Sequence, residues 1–374
     1  MPPQRCGLAS FTGDLRQAVQ QAAPEAACLS VAMSAQPAPA ADPMALAIPP
    51  EDSGAYDRMA ERLNHAGIDL LCVQHEYGIY GGPDGEFLLR LLDRVRAPVM
   101  ATLHTVLDDP SRNQRRVMNA IADRAARLVV MTRQSAAVMA TVHGVPRSRL
   151  CVVPHGIPDA MPASRQAGRQ LLHAEGRKVL LTFGLLSPGK GIEHVIRALP
   201  AIVERQPNTV YVVLGATHPN LVLREGEAYR HSLLGLAESL GVAAHLQFVD
   251  RFVDLQELTN ALAATDIYLT PYLNEAQSVS GTLAYSYGLG TAVVSTPYRH
   301  AAELLGDGRG ALVPFADPDA IAATVLALLD DPARLQAMRA AARAAGREMV
   351  WPRIGSRYLD IFRETVTAAA ALAG

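Results

Sequence analysis

The sequence contains few cysteines, and their arrangement gives no indication of a disulfide framework or a metal site. Its four cysteines, Cys6, Cys28, Cys72 and Cys151, are scattered without Cys-x-x-Cys spacing. Cys72 and Cys151 lie in apolar, strand-like runs, where a thiol behaves as a small hydrophobic group. We therefore expect neither disulfides nor a bound metal ion.

The sequence also lacks the long apolar segment that a membrane helix requires. No apolar run reaches the roughly 18–20 residues needed to cross a bilayer. The first residues, MPPQRCGLAS, do not show the charged and then apolar layout of a signal peptide. We expect a cytoplasmic protein.

A strong charge of either sign is missing as well. The formal net charge is -2, so nucleic acid is not an expected partner. The hydrophobic fraction of 49% and the charged fraction of 19% are those of a globular protein. A length of 374 residues exceeds what one hydrophobic core usually supports, so we expect two domains.

Short β-branched runs alternate with longer amphipathic stretches, a pattern that predicts βαβ units and parallel sheets. The predicted strands of the first half are 69–74, 98–104, 127–132 and 150–155, with helices at 86–95 and 114–125. The pattern restarts with strands at 178–186, 209–216, 245–250, 266–272 and 291–298. The prediction is an α/β fold with two doubly wound, Rossmann-like domains.

The predicted boundaries are 1–158 for the first domain, 159–350 for the second and 351–374 for a C-terminal helix that returns to the first domain. A Pro-, Ala-, Ser- and Arg-rich stretch at 157–176 is predicted to be the linker. The first glycine loop, Cys6 to Thr12, has only five residues before it. The strand that normally precedes such a loop is therefore expected to be shortened or absent.

The segment from Phe183 to Glu193, FGLLSPGKGIE, is a strand that breaks into a Gly/Pro turn and opens a helix. Gly184 lets the backbone approach a ligand, the helix start offers N–H groups, and Lys190 adds a positive charge. Together these features suit a diphosphate. An ordinary strand-turn-helix with a solvated lysine is the alternative.

Two further loops follow predicted strands at the same edge of the second sheet. Gly215 lies in a turn after one strand, and Arg251 follows the next, where its guanidinium would pair with a phosphate. The alternatives are a structural loop for Gly215 and a surface salt bridge for Arg251.

A polar loop of small residues follows the strand at 266–272. Its end, Ser280-Gly281-Thr282, precedes a helix and is suited to present hydroxyl and N–H groups to a sugar or a phosphate. Ser280 or Thr282 is also a suitable N-cap, which is compatible with binding.

Histidines follow two strands of the first half. His75 and Tyr77 come after one strand, and His104 ends the next. Histidines at neighbouring strand ends are expected to face the same cleft and to hydrogen-bond a substrate or assist proton transfer. A structural role is the alternative for either one alone.

Taken together, these segments resemble retaining glycosyltransferases of family 4. The likeness rests on RCGLASFT, VVPHGI, FGLLSPGKGIEHVIRAL, VLGATH, DIYLTPYLNEAQSVSGTLAYSYGLGTAVVST and ELLGDGRGALVPFADPDAIAATVLALLDDP, and covers nearly the whole chain. The resemblance implies a GT-B fold, in which two Rossmann-like lobes face a central cleft. The second lobe would bind the nucleotide sugar and the first the acceptor.

The resemblance assigns roles to particular residues. The family's phosphate-binding lysine maps onto Lys190, its N-domain histidine near the donor sugar onto His104, and its first-loop glycine onto Gly7. The arginine that accompanies the lysine falls at Leu185 here, so Arg251 is the candidate for its share.

The family's paired-glutamate motif maps onto Gln277 and Tyr285, which are separated by seven residues. Neither is acidic, although Gln277 retains the capacity to hydrogen-bond donor hydroxyls. Glu275 replaces the first glutamate if the loop is offset. The predicted catalytic set is therefore His104, Lys190, Gln277 and Glu275, with Tyr77 and His75 on the acceptor side.

The resemblance implies transfer of a hexosyl group from a GDP- or UDP-sugar to a carbohydrate or small-molecule acceptor, with no cofactor and no obligatory metal. A sugar phosphorylase or epimerase on the same scaffold, and a non-catalytic sugar-nucleotide-binding protein, are the alternatives. Membrane contact is not favoured, because acidic residues dilute the arginines around the helix at 114–125.

Overall fold

The structure is a computed structural model that describes residues 7–36, 44–159 and 164–373. The strands of these ranges are β1 Ser30–Met33, β2 Ala45–Ile48, β3 Leu71–His75, β4 Val99–Leu103, β5 Ala125–Val130, β6 Leu150–Val152, β7 Lys178–Phe183, β8 Thr209–Leu214, β9 Leu246–Val249, β10 Ile267–Thr270, β11 Ala292–Ser295 and β12 Ala311–Leu312.

The α-helices of the same ranges are α1 Gly7–Ala22, α2 Ser53–Ala66, α3 Leu88–Arg94, α4 Arg112–Arg124, α5 Arg133–Val142, α6 Arg165–Leu171, α7 Ile192–Arg205, α8 Pro219–Glu225, α9 Ala228–Ser239, α10 Leu255–Ala264, α11 Gly281–Gly288, α12 Arg299–Leu304, α13 Pro318–Leu329, α14 Pro332–Gly346 and α15 Trp351–Ala373.

The chain forms two compact units. The first contains the described residues up to Gly156 together with those from Trp351 onward, and the second spans Ile157–Val350. The first division lies two residues before the predicted boundary at residue 158, and the second coincides with the boundary at residue 350.

The first unit contains a parallel sheet in the order β3-β4-β5-β6 and a separate parallel pair, β1-β2. All five residues of β4, VMATL, are buried. Such a continuous run, rather than an alternating one, is typical of a parallel strand covered by helices on both faces.

The long helix α15 belongs to the first unit, where it packs against α1. The two helices approach closely at Gly355, where an added Cβ would lie 2.6 Å from the Ala18 backbone. Phe11 of α1 meets Trp351 of α15 edge to face, with ring centroids 5.2 Å apart. A glycine at position 355 is therefore required by packing.

The second unit contains a six-stranded parallel sheet in the order β12-β11-β10-β7-β8-β9. Starting from β7, the chain first runs outward through β8 and β9, and then returns to place β10 on the other side of β7. This is the doubly wound strand order, and its direction reverses between β7 and β10. Ligands of such sheets bind outside the carboxyl ends of the strands at that reversal.

The parallel α/β class predicted for both halves is confirmed. The predicted linker at 157–176 is wrong in large part, because it contains α6, whose N-cap Ser164 accepts a hydrogen bond from the Ala167 N–H. Gly168 of α6 packs so closely on α10 that an added Cβ would lie 1.9 Å from the Asn260 carbonyl oxygen. The helix is short and rich in polar residues, so its periodicity is weak in the sequence.

The start of the chain also differs from the prediction. The segment expected to form a glycine loop is helical instead, since α1 begins at Gly7. Phe11 and Leu15 lie on the buried, apolar face of this helix. The predicted shortened strand falls on residues 1–6, outside the described ranges. Strands β1 and β2 were not predicted, because SVAM and ALAI contain few β-branched residues.

Candidate functional site

The candidate site lies where β7 and β10 of the second unit end, at the reversal of strand order. After β7 the backbone passes through Gly184, whose φ of 115° is unfavourable for any side chain. A short 3-10 turn, Pro188–Lys190, then leads through Gly191 into α7. The predicted strand, turn and helix around Lys190 are confirmed.

Gly184 keeps a space open between two segments of the site. An added Cβ at this position would lie 3.0 Å from the Thr282 Cγ2 atom and 3.9 Å from the Lys190 Nζ atom. The Lys190 ammonium and the start of α11 therefore both line the space beside Gly184. A group that enters it meets backbone rather than a side chain at position 184.

Gly215 follows β8 and lies beside Gly184. An added Cβ at Gly215 would lie only 2.3 Å from the Gly184 carbonyl oxygen, and its φ is 137°. The structure thus requires glycine here for the packing of two strand ends. A role of Gly215 in donor binding stays a prediction.

The start of α11 supplies hydroxyl groups and a helix N-terminus. Ser280 is the N-cap and accepts a hydrogen bond from the Leu283 N–H at 3.3 Å, which confirms one of the two predicted caps. The Ser280 Oγ and Thr282 Oγ1 atoms are 3.1 Å apart. The first N–H groups of a helix have no intrahelical partner and favour an anion.

Tyr272, which the sequence analysis did not single out, lies between these segments. Its hydroxyl group contacts the Lys190 ammonium and lies 2.8 Å from Thr282 Oγ1. Its ring stacks on Tyr298 with centroids 5.1 Å apart. Burial by itself raises the pKa of the Tyr272 phenol, but the charge and hydrogen bond of Lys190 contribute to a net lowering.

Gln277 shapes the loop before α11. Its side-chain Nε2 atom donates to the Val279 carbonyl at 3.1 Å, and its backbone carbonyl accepts from the His300 backbone N–H at 3.3 Å. The buried His300 in turn accepts from the Ser280 N–H at its Nδ1 atom, at 2.8 Å. Glu275 is exposed in the same loop. His300 lies beyond the next strand and was not predicted from the sequence.

Arg251 lies at the end of β9, as predicted, but its guanidinium is engaged by a carboxylate. Both of its terminal nitrogens donate to Glu257, at 3.0 and 2.7 Å. This pair is the surface salt bridge that was the alternative for Arg251. A role in phosphate binding stays a prediction that requires this salt bridge to open.

In the first unit His104 follows β4. Its Nε2 atom lies 3.0 Å from the Gln74 Oε1 atom, which can only accept, so Nε2 carries the proton and Nδ1 does not. Burial, with smaller contributions from His155 and His75, lowers the pKa of His104 to about 3. His104 is therefore a neutral imidazole whose Nδ1 atom can accept a hydrogen bond. Its role near the donor sugar stays a prediction.

His75 ends the neighbouring strand β3 but is fully buried, contrary to the expectation that it faces a cleft. Its ring lies between those of Tyr77 and Tyr80, with centroids 4.9 and 6.2 Å away. Neither ring nitrogen of His75, nor the Tyr77 hydroxyl, has a hydrogen-bond partner in the described part of the chain. A role on the acceptor side stays a prediction for both residues.

Three buried histidines of the first unit have lowered pKa values, and we therefore expect the protein to lose stability in acid. Burial lowers the pKa of His75 to about 4, of His104 to about 3 and of His155 to about 4. Below the ordinary histidine pKa of about 6.5 the unfolded chain takes up protons that the folded chain does not, so stability falls as pH falls toward 4. The slope is up to about 1.4 kcal/mol per pH unit for each imidazole.

Melting curves between pH 7.5 and pH 5 test this, and His75→Phe should flatten the slope by the contribution of one imidazole. A melting temperature that stays constant over this range would contradict it.

Four of the arginines around α4 contact other groups of the first unit. Those at positions 115, 124 and 127 donate to backbone carbonyls, and Arg116 pairs with Glu86. Among the helices of the described ranges, none is both long and apolar enough to cross a membrane. The same ranges contain no group of three or more His, Cys, Asp or Glu side chains placed to hold a metal ion.

Two family descriptions match consecutive parts of the chain. Residues 24–160 match Glycosyltransferase Family 4, and residues 164–345 match Glycosyl transferases group 1. The D-inositol 3-phosphate glycosyltransferase of Corynebacterium efficiens is 28% identical over 329 residues, 82% of this chain and 74% of that protein. The phosphatidyl-myo-inositol mannosyltransferase of Mycolicibacterium smegmatis is 29% identical over 221 residues, 57% of this chain and 52% of that protein.

Solved structures show the same fold. The sucrose-phosphate synthase of Thermosynechococcus elongatus has a TM-score of 0.75 and 18% identity, with 97% of this chain and 94% of that chain covered. Anabaena HepE, solved in complex with UDP, has a TM-score of 0.72 and 17% identity, with 86% of each chain covered. The chain therefore belongs to glycosyltransferase family 4 and is a glycosyltransferase with the GT-B fold.

Proposed function

We propose that this glycosyltransferase moves a hexosyl group from a GDP- or UDP-sugar to a carbohydrate or small-molecule acceptor, with retention of configuration. The main support is the position of Lys190 and α11 at the reversal between β7 and β10. Relatives named as mannosyl- and glycosyltransferases, and the UDP bound to Anabaena HepE, support a nucleotide-sugar donor.

The site of the second unit suits the diphosphate of such a donor. Lys190 supplies one positive charge, Gly184 admits the ligand close to the backbone, and the start of α11 supplies N–H and hydroxyl groups. Charge that develops on the departing phosphate in the transition state is stabilised by such preorganised donors. Gln277 and Ser280 are proposed to hydrogen-bond the donor.

In the proposed reaction the bond between the anomeric carbon and the β-phosphate oxygen breaks, and the acceptor oxygen bonds to the same face of the sugar. The proton of the acceptor hydroxyl passes to the departing phosphate, and the products are the glycosylated acceptor and a nucleoside diphosphate. The neutral His104 is proposed to hydrogen-bond a hydroxyl of the bound sugar through Nδ1.

The proposal requires no resident metal ion, so activity should persist in excess EDTA.

Gln277 and Tyr285 stand where the family has two glutamates, and this difference limits how the site acts on the sugar. Gln277 donates and accepts hydrogen bonds, but it supplies no negative charge to a developing oxocarbenium ion. Tyr285 lies within α11 and offers no carboxylate to ribose hydroxyls. We therefore propose that phosphate stabilisation contributes most of the rate enhancement, and that Glu275, the acidic residue of this loop, is the alternative source of negative charge.

A thermal-shift screen against UDP, GDP, ADP and their common sugar conjugates tests the proposal. A ligand that binds only the folded protein raises its melting temperature, by an amount set by concentration and affinity. One diphosphate should raise it clearly, and its sugar conjugates then become donors in an acceptor screen. NMR of the product should show the anomeric configuration of the donor. An inverted product would overturn retention, and no shift with any nucleotide would overturn the donor assignment.

A further inference from the structure

The segment after β10 holds the Pro188–Lys190 turn in place through its backbone. The Leu273 N–H donates to the Gly189 carbonyl at 3.1 Å. An added Cβ at Gly191 would lie 2.1 Å from the Pro271 carbonyl oxygen. The turn that carries Lys190 and the segment that carries Tyr272 are thus in direct contact, although they are far apart in sequence.

The Tyr272 hydroxyl joins three parts of the site. It contacts the Lys190 ammonium and lies 2.8 Å from Thr282 Oγ1, which in turn lies 3.1 Å from Ser280 Oγ. An ammonium only donates, whereas a phenol both accepts and donates. Tyr272 therefore accepts from Lys190, and either hydroxyl is able to donate in the hydrogen bond between Tyr272 and Thr282.

The Tyr272 ring itself is held rigidly. Its side chain is buried, with 1% exposed, and it stacks on Tyr298 with an interplanar angle of 16°. The Lys190 ammonium also lies 4.0 Å from the centroid of the Tyr272 ring. A fixed aromatic acceptor thus sets the position of the end of a flexible side chain.

A fixed position of the Lys190 ammonium contributes more to binding in this chain than it would in a chain with two cations at the site. Leu185 stands where the resemblance places an arginine, and Arg251 is engaged by Glu257. A lysine side chain loses up to about 2 kcal/mol of rotamer entropy when it is ordered. A lysine that is already held before the ligand arrives loses less on binding.

We propose that Tyr272 is a positioning residue, whose hydroxyl holds the Lys190 ammonium at the diphosphate site and links it to the start of α11. This inference rests on the proposed function, because it assumes that Lys190 binds the donor diphosphate. Tyr272 acts through Lys190 and is not itself assigned a contact with the donor.

Tyr272→Phe removes the hydroxyl and keeps the ring. Affinity for UDP or GDP, whichever raises the melting temperature, is measured by calorimetry. We expect a loss of about 10-fold, equivalent to about 1.4 kcal/mol. Tyr211→Phe is the matched control, since Tyr211 is buried in β8 and its hydroxyl donates to Thr182 Oγ1 at 2.8 Å. That variant should retain wild-type affinity.

A double-mutant cycle separates positioning from a structural role. In a Lys190→Ala background, Tyr272→Phe should cost no further affinity, whereas a purely structural effect would add to that of Lys190→Ala. An additive loss, or wild-type affinity in Tyr272→Phe alone, would overturn the inference. Wild-type affinity in Lys190→Ala would instead overturn the diphosphate site itself, so the two failures are distinguishable.

A second measurement uses the fact that Lys178 and Lys190 are the only lysines of the sequence. Selective labelling of lysine gives two side-chain NMR signals, and Lys178→Arg assigns them. In Tyr272→Phe the Lys190 signal should move toward that of a free, mobile lysine, and the Lys178 signal should not. An unmoved Lys190 signal would contradict the inference.

Discussion

Replacing Lys190 with alanine should lower the rate of sugar transfer by about 100-fold or more. Removal of one preorganised donor from a developing anion typically costs about 10²–10³ in rate. The loss is not expected to fall below that range, because Leu185 supplies no second charge. Steady-state kinetics with the donor identified by thermal shift measure the loss.

Lys178 is the natural control for this change. It begins β7, the strand whose other end leads to Lys190, and its Nζ atom donates to Gln206 Oε1 at 2.8 Å. The two lysines thus flank the same strand, at its opposite ends. Lys178→Ala should keep wild-type kinetics, and Lys190→Ala with full transfer would refute the proposed role of the lysine.

Replacing Gly184 with valine should abolish measurable binding of the donor at concentrations that saturate the wild type. The new Cβ atom would lie 3.0 Å from Thr282 Cγ2 and project between Thr282 and Lys190, which fills the space proposed for the diphosphate. The φ of 115° adds strain of about 1–3 kcal/mol, so the melting temperature should also fall.

Gly235→Ala provides the control for the loss of a glycine in this unit. Gly235 lies in α9, and an added Cβ there has no neighbour within 4 Å. Alanine in a helix interior should stabilise the protein by up to about 1 kcal/mol and leave donor affinity unchanged. Calorimetry at a temperature where both variants are folded separates binding from stability. Full donor affinity in Gly184→Val would show that the ligand lies elsewhere.

The parts of the site that were predictable are those determined by local sequence. The break of β7 at Gly184, the turn before α7 and the cap at Ser280 each depend on residues within a few positions. Glycine, proline and a capping hydroxyl have strong local preferences, so strand, turn and helix can be predicted in order.

The contacts of the site that were not predicted from the sequence depend on strand order. Tyr272 and Lys190 are 82 positions apart and meet because β10 pairs with β7 rather than with its sequence neighbour β9. Composition and periodicity do not specify that pairing. Similarly, the burial of His75 depends on how Tyr77 and Tyr80 fold back over it.

Arg251 shows a different limit of sequence reasoning. Its position at the end of β9 was predicted, but Glu257 is only six positions away and also caps α10 with Asp254. A nearby carboxylate at a helix start competes with any ligand for the guanidinium. Position at a sheet edge therefore does not establish that a charged side chain is available.

A crystal structure of the protein with the nucleoside diphosphate that raises its melting temperature most would locate the diphosphate. We expect phosphate oxygens about 3 Å from the Lys190 ammonium and from N–H groups at the start of α11. We also expect the diphosphate to pass beside Gly184. A diphosphate that contacts neither Lys190 nor residues 280–282 would show that the donor binds elsewhere.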